Sequence, residues 1–226
     1  MLVAGLLLVA TVAVSLNNSL PTFGSSRVTS SEPASSTPAA ASSIAARHGE
    51  FPGLGAPAGV APDGEMALRP EHRGALGEAD GLLPDRVTVF AVRYPGVTNL
   101  DSDLLRALRH AAASAAKDGI ELFVTSGWRS RKYQQELFRE ALLEYGSEEK
   151  AAQWVATPGT SAHESGNAVD IGPVGAAAWL SRHGVAYGLC QIYGNEPWHY
   201  ELRPVAINRG CPRMYADPTQ DPRMQQ

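Results

Sequence analysis

Residues 161–170 read S-A-H-E-S-G-N-A-V-D, and residues 195–200 read N-E-P-W-H-Y. His163 and Asp170 stand at an odd offset, which on one uninterrupted strand would put their side chains on opposite faces. Gly166-Asn167 between them is a turn or bulge signal, so the chain is expected to bend there and bring both side chains to one side. N-A-V-D-I (167–171) then continues as a strand. Glu196 and His199 also stand at an odd offset, and Pro197 breaks any ladder before W-H-Y-E-L (198–202) begins as a strand. His199 can therefore face the same cleft as His163 and Asp170.

Outward from this stretch the chain alternates strands and helices. R-V-T-V-F-A-V (86–92) has the β-branched alternation of a strand, and I-E-L-F-V-T-S (120–126) reads as a second. Between them, Asp101 or Ser102 caps a helix whose Leu104, Leu105, Leu108, Ala111, Ala112 and Ala115 share a face, ended by Gly119. Residues 129–145 form a further helix closed by Gly146, residues 147–155 a short one, and Gly175 to Arg182 a last one followed by Gly184. These elements give an α+β domain over residues 84–212, long enough to bury a core, with a tail at 213–226 expected to be loose at its end.

The N-terminal part has a different composition. Residues 2–14 are apolar or small and uncharged, shorter than the ~20 residues of a membrane span, so residues 1–16 are expected to be a signal peptide. An uncleaved membrane anchor is the alternative, because no Lys or Arg precedes the apolar core and the one small-x-small cleavage candidate is Ala13-Val14-Ser15. Residues 17–83 are dominated by Ser, Ala, Pro, Thr and Gly without apolar periodicity, which predicts a disordered linker. The net charge of -4 says little about partners, but there is no basic cluster of the kind nucleic acid would require, so no nucleic-acid partner is expected. Cys190 and Cys211 are the chain's 2 cysteines; in an exported protein an even count without C-x-x-C spacing predicts one disulfide.

Two imidazoles and one carboxylate, His163, His199 and Asp170, make a familiar zinc-binding set, and Glu196 is a second carboxylate free to act as a base. Ser161, His163, Gly166, Ala168 and Asp170 fill the pattern S-x-H-x-x-G-x-A-x-D. Together with E-P-W-H (196–199) and the upstream S-G-W-R-S (126–130), the region from Leu104 to Leu202 resembles the VanY-type D-alanyl-D-alanine carboxypeptidases of peptidase family M15. The resemblance implies a small antiparallel sheet flanked by helices, of the Hedgehog/DD-peptidase kind, with a zinc site in a cleft on the sheet. It implies that His163, Asp170 and His199 bind one Zn²⁺ and that Glu196 moves the proton from the attacking water to the leaving amine. It gives Arg129 the role of holding substrate and stabilising the developing oxyanion, with Ser161, Tyr133 and Gln134 as further substrate contacts. The implied substrate is a peptidoglycan stem peptide that loses its terminal D-amino acid. A dipeptidase, an endopeptidase or a non-catalytic wall-binding module are the alternatives on the same site.

Other residues invite simpler readings. Glu164 follows His163 and imitates the start of H-E-x-x-H, but position 167 is Asn and the helical motif is incomplete. His183 beside Gly184 suits a helix end, and His110 among Arg and Ala suits an exposed face. Trp198 is expected to anchor the core, while Trp128 is read equally well as cleft wall or packing.

Overall fold

The computed structural model describes residues 76–225. The expected signal or anchor at 1–16 lies outside the described residues, as does most of the expected linker. Four strands form one antiparallel sheet in the order β1-β2-β4-β3: β1 (Phe123–Ser126), β2 (Ala168–Gly172), β3 (Leu189–Gln191) and β4 (His199–Leu202). Six α-helical segments accompany it: α1 (Pro95–Thr98), α2 (Ser102–Ala115), α3 (Arg131–Tyr145), α4 (Glu148–Ala152), α5 (Val174–His183) and α6 (Ala206–Arg209). The described part is α+β, as expected.

The helices start and stop where local chemistry dictates. Asp101 accepts from the amides of Asp103 and Leu104 at the start of α2, and Ser130 and Ser147 do the same for α3 and α4. Gly146 ends α3 at φ 76°, a left-handed conformation that favours glycine. The face of α2 read from its spacing is the buried one: Leu104, Leu108, Ala111, Ala112 and Ala115 all join the main core. That core also takes Val169 and Ile171 from β2, Tyr200 from β4, and Trp179 and Leu180 from α5. A second apolar cluster joins Tyr133, Leu137 and Ala141 of α3 to Ala151 and Val155.

The sheet therefore has two jobs, and a bulge divides them. Val124 pairs with Ile171, yet Ser126 pairs with Asp170, so the register slips by one residue around Thr125. Val124 faces the core, while Ser126 turns to the other face and joins a row across the sheet, Ser126–Asp170–His199.

Three expectations need correction. Residues 86–92 are not a strand: Thr88 makes an isolated bridge to Phe123, and the chain turns there, with the amide of Ala91 donating to the Thr88 carbonyl. Its β-branched alternation reflects burial of Val87 and Val89 beside β1, not a ladder. The folded unit also begins before Pro84, because Leu82 packs on the second cluster, Leu83 on the main core, and Asp80 accepts from both the amide and the hydroxyl of Ser130. The end of the tail is packed too: Asp221 is fully buried. Among the described residues no helix is long and apolar enough to cross a membrane.

Candidate metal centre and catalytic cleft

Asp170 sits in the middle strand β2, directly opposite His199 at the start of β4. His163 comes from the turn before β2, which Gly166 makes possible. Gly166 has φ 74°, and a Cβ there would lie 2.3 Å from the Asn99 carbonyl oxygen, so the bend needs glycine on both counts. Glu196 enters from the turn before β4, where its carbonyl accepts from the His199 amide. The three expected metal ligands are thus brought together: one ligand atom from each of His163, Asp170 and His199 lies within 4.8 Å of the others, and all three residues are buried.

The protons around this cluster point outward. His163 Nδ1 faces the Gly127 carbonyl at 2.8 Å, an oxygen that can only accept, so this nitrogen carries the hydrogen. His199 Nε2 faces Glu201 Oε1 at 3.4 Å and donates there. The nitrogens that remain, His163 Nε2 and His199 Nδ1, lie 3.2 Å apart and 3.4 and 3.2 Å from Asp170 Oδ1. Neither approach to Oδ1 has hydrogen-bond geometry, which leaves this oxygen a buried acceptor without a partner. Three converging lone-pair atoms in a buried site fit a cation. The other oxygen, Asp170 Oδ2, accepts from Arg129 at 2.8 Å, so each candidate ligand is oriented by a further protein group.

Electrostatics point the same way. Burial would lower His199, but the carboxylates of Asp170, Glu201 and Glu196 around it outweigh this and raise it to about 10. The pocket favours a positive charge at this point. Burial, helped by Arg129, lowers His163. For Asp170 burial acts upward, yet His163, His199 and Arg129 hold its carboxyl well below the usual range. Glu196 is pushed up to about 7, mainly by burial and against the pull of His199. Its Oε2 stands 3.5 Å from His199 Nδ1, outside the three-residue cluster and beside it.

A cleft opens over the cluster, lined by Arg129, Gln134, Ser161, Glu196, Trp154, Trp198 and Tyr193 among others. Arg129 is held from three sides: Nε donates to Ser126, one terminal nitrogen to Gln134 and the other to Asp170. Gln134 in turn donates to the Ala156 carbonyl. Ser161 is buried and its hydroxyl oxygen accepts from the His163 amide. Tyr133 is not part of the lining; it packs in the second cluster, with the Arg129 guanidinium 5.9 Å from its ring centre. Trp198, expected in the core, is half-buried on the cleft wall. Trp128 donates to the Glu164 carbonyl, and the Glu164 carboxylate accepts from the Gly159 amide, a loop staple and not a base. His183 stacks on Trp179 at the end of α5, and His110 is exposed.

Cys190 and Cys211 are bonded. The bond joins the chain beyond α6 to β3, and Tyr193, shortly after β3, lines the cleft. Sequence reasoning missed the tail altogether. Pro218 and Met224 line the cleft, and Arg223 reaches the buried Glu201. The only sign in the sequence was Glu201 itself, two residues beyond His199 on the same strand face and so bound to need a partner.

Residues 97–205 match the family model described as VanY, D-alanyl-D-alanine carboxypeptidase. A D-alanyl-D-alanine carboxypeptidase of Enterococcus faecalis is 34% identical over 143 residues, 52% of this chain and 53% of its own. The chain spans about half the length of the curated relatives it matches. Among solved structures, VanYB in complex with D-alanine-D-alanine is 31% identical, covering 49% of this chain and 74% of that one, with a TM-score of 0.45. A mutant of the vancomycin-resistance D,D-pentapeptidase VanY in complex with Zn(II) is 32% identical, covering 46% and 72%, with a TM-score of 0.43. The matched region holds His163, Asp170, His199, Glu196 and Arg129, so over residues 97–205 the chain is similar to the VanY D-alanyl-D-alanine carboxypeptidases.

Proposed function

We propose that this protein is a zinc-dependent D-alanyl-D-alanine carboxypeptidase that removes the terminal D-amino acid from peptidoglycan stem peptides at the cell envelope. The observation that carries this reading is the convergence of three buried lone-pair atoms, on His163, Asp170 and His199, beside the separate carboxyl of Glu196. His163, Asp170 and His199 would hold the zinc, which when bound polarises the scissile carbonyl and acidifies water. Glu196, with a pKa pushed up to about 7 by burial, is suited both to take a proton from the attacking water and to return it to the leaving amine. Arg129 fixes Asp170 and keeps N–H donors toward the cleft for the substrate's terminal carboxylate and the developing oxyanion. Ser161 and Gln134 set the adjoining wall. The Cys190–Cys211 bond supports an oxidising compartment, in keeping with export by the N-terminal segment.

Zinc content of the purified protein and release of free D-alanine from a stem pentapeptide test the reading together. Release of a dipeptide in place of D-alanine, or no release by zinc-loaded protein, overturns it.

A further inference from the structure

The family match ends at residue 205, and the segment beyond it returns to the metal centre. After the disulfide at Cys211 the chain runs beside residues 192–195, with Tyr215 exchanging backbone hydrogen bonds with Ile192 and Gly194, and Asn195 donating to Ala216. This course delivers Asp221 and Arg223 to the far side of His199.

Arg223 makes a two-pronged contact with Glu201, to Oε2 at 2.7 Å and to Oε1 at 3.0 Å. Glu201 is 0% exposed, and its Oε1 is the oxygen that accepts from His199 Nε2. Arg203 also reaches Glu201, but it touches Oε2 alone. Among the described residues only the Arg223 guanidinium holds the oxygen that receives the histidine proton, and a fork on both oxygens fixes the plane of the carboxylate as one contact cannot. Arg223 is itself fixed by Asp221, also 0% exposed, through Nε at 3.1 and 3.0 Å and a further terminal-nitrogen contact. Asp221 Oδ2 accepts from the Tyr193 hydroxyl at 3.1 Å, and the Tyr193 ring lies against the His199 ring with centroids 5.0 Å apart. His199, Glu201, Arg223, Asp221 and Tyr193 thus form a closed circuit around the imidazole that offers Nδ1 to the metal cluster.

We infer that Arg223, outside the family-matched region, is a positioning residue of the metal centre: through Glu201 it holds the His199 ring in its ligating tautomer and orientation. The inference rests on the metal reading above. Two buried carboxylates without their shared guanidinium would repel each other and seek other partners, and Glu201 would no longer be held on the ring.

The test uses the full chain with Arg223→Lys and Arg223→Met, and reads zinc affinity by competition with a chromophoric chelator and the visible spectrum of the Co(II)-loaded protein. Arg223→Lys keeps the charge but not the fork, so it is expected to fold, to bind zinc roughly tenfold more weakly and to shift the Co(II) bands. Arg223→Met is expected to lose up to about 100-fold in zinc affinity. Arg223→Lys with wild-type zinc affinity and an unchanged Co(II) spectrum overturns the inference and leaves Arg223 as a clamp for the tail, whatever becomes of the Met variant. A wild-type protein that binds no zinc overturns the metal reading itself, and this inference with it.

Discussion

Glu196→Gln separates the chemistry of this site from its assembly. Glu196 is 7% exposed, and burial raises its carboxyl from an ordinary 4.5 to about 7 although His199 pulls the other way. A carboxyl that holds its proton more tightly in the folded chain destabilises the fold once ionised. Below 4.5 both states are protonated and there is no effect; the destabilisation grows as the pH rises to about 7 and is complete above it. At about 1.4 kcal/mol for each pH unit between those values, the charged group costs the metal-free fold up to about 3 kcal/mol. Glutamine keeps the shape and removes the charge. Metal-free Glu196→Gln is therefore expected to exceed wild type in stability by up to about 3 kcal/mol near pH 8, and to match it near pH 4. Urea denaturation with a chelator present measures both. With zinc restored, its metal content should equal that of wild type while turnover falls by roughly 10² to 10⁴. A variant less stable than wild type near pH 8 would refute the burial argument, and one that loses zinc would make Glu196 a ligand.

Replacing any one of His163, Asp170 or His199 by Ala is expected to abolish stoichiometric zinc binding, read by elemental analysis after dialysis; retention by one variant removes that residue from the ligand set. A chain begun at residue 76 should fold as the full chain does, whereas one begun at Pro84 loses the Asp80–Ser130 contacts and the packing of Leu82 and Leu83, about 2–4 kcal/mol by urea denaturation. Equal stability of the two would show that residues 76–83 contribute nothing. Amidating the terminal carboxyl of the pentapeptide should cripple cleavage by wild type and cost Arg129→Ala little more; equal cleavage of amidated and free peptide by wild type would point to an endopeptidase.

Helices α2, α3 and α4 were legible because each carries its own start, as α2 does with Asp101 before a run of apolar residues at helical spacing, whereas the four-residue α1 and α6 have no side-chain cap and were not read from the sequence. The convergence of His163, Asp170 and His199 was legible because Gly166 and Pro197 mark where strand alternation must fail. What escaped was whatever depends on distant partners. β3 spans only Leu189–Gln191, too short for a pattern, and owes its pairing to β4. Residues 86–92 alternate like a strand because Val87 and Val89 are buried, and alternation reports burial and not hydrogen bonding. Tyr133 stands next to a cleft residue in sequence, but adjacent helical positions point about 100° apart, and only Gln134 reaches the lining. Arg223 carries no motif; its place follows from Glu201, a contact 22 residues away in the chain.

The site is divided between rigid and adjustable supports, and the division matches what each residue has to do. Asp170 and His199 pair across the two middle strands of the sheet, with the core packed on the opposite face at Val169 and Tyr200. Their separation cannot change without breaking the ladder, which suits two ligands of one cation. His163 and Glu196 come instead from turns, each placed by a residue that breaks alternation. His163 is steadied by the Gly127 carbonyl and by the turn at Gly166, whose carbonyl accepts from the Asp101 amide at the start of α2. Glu196 has the nearby His199 as its one ion-pair partner within reach and no hydrogen bond to another side chain among the described residues. A ligand gains from being held fast, and the base proposed at Glu196 has to follow a proton from water to leaving group, a path that a carboxyl without side-chain hydrogen bonds among the described residues leaves open.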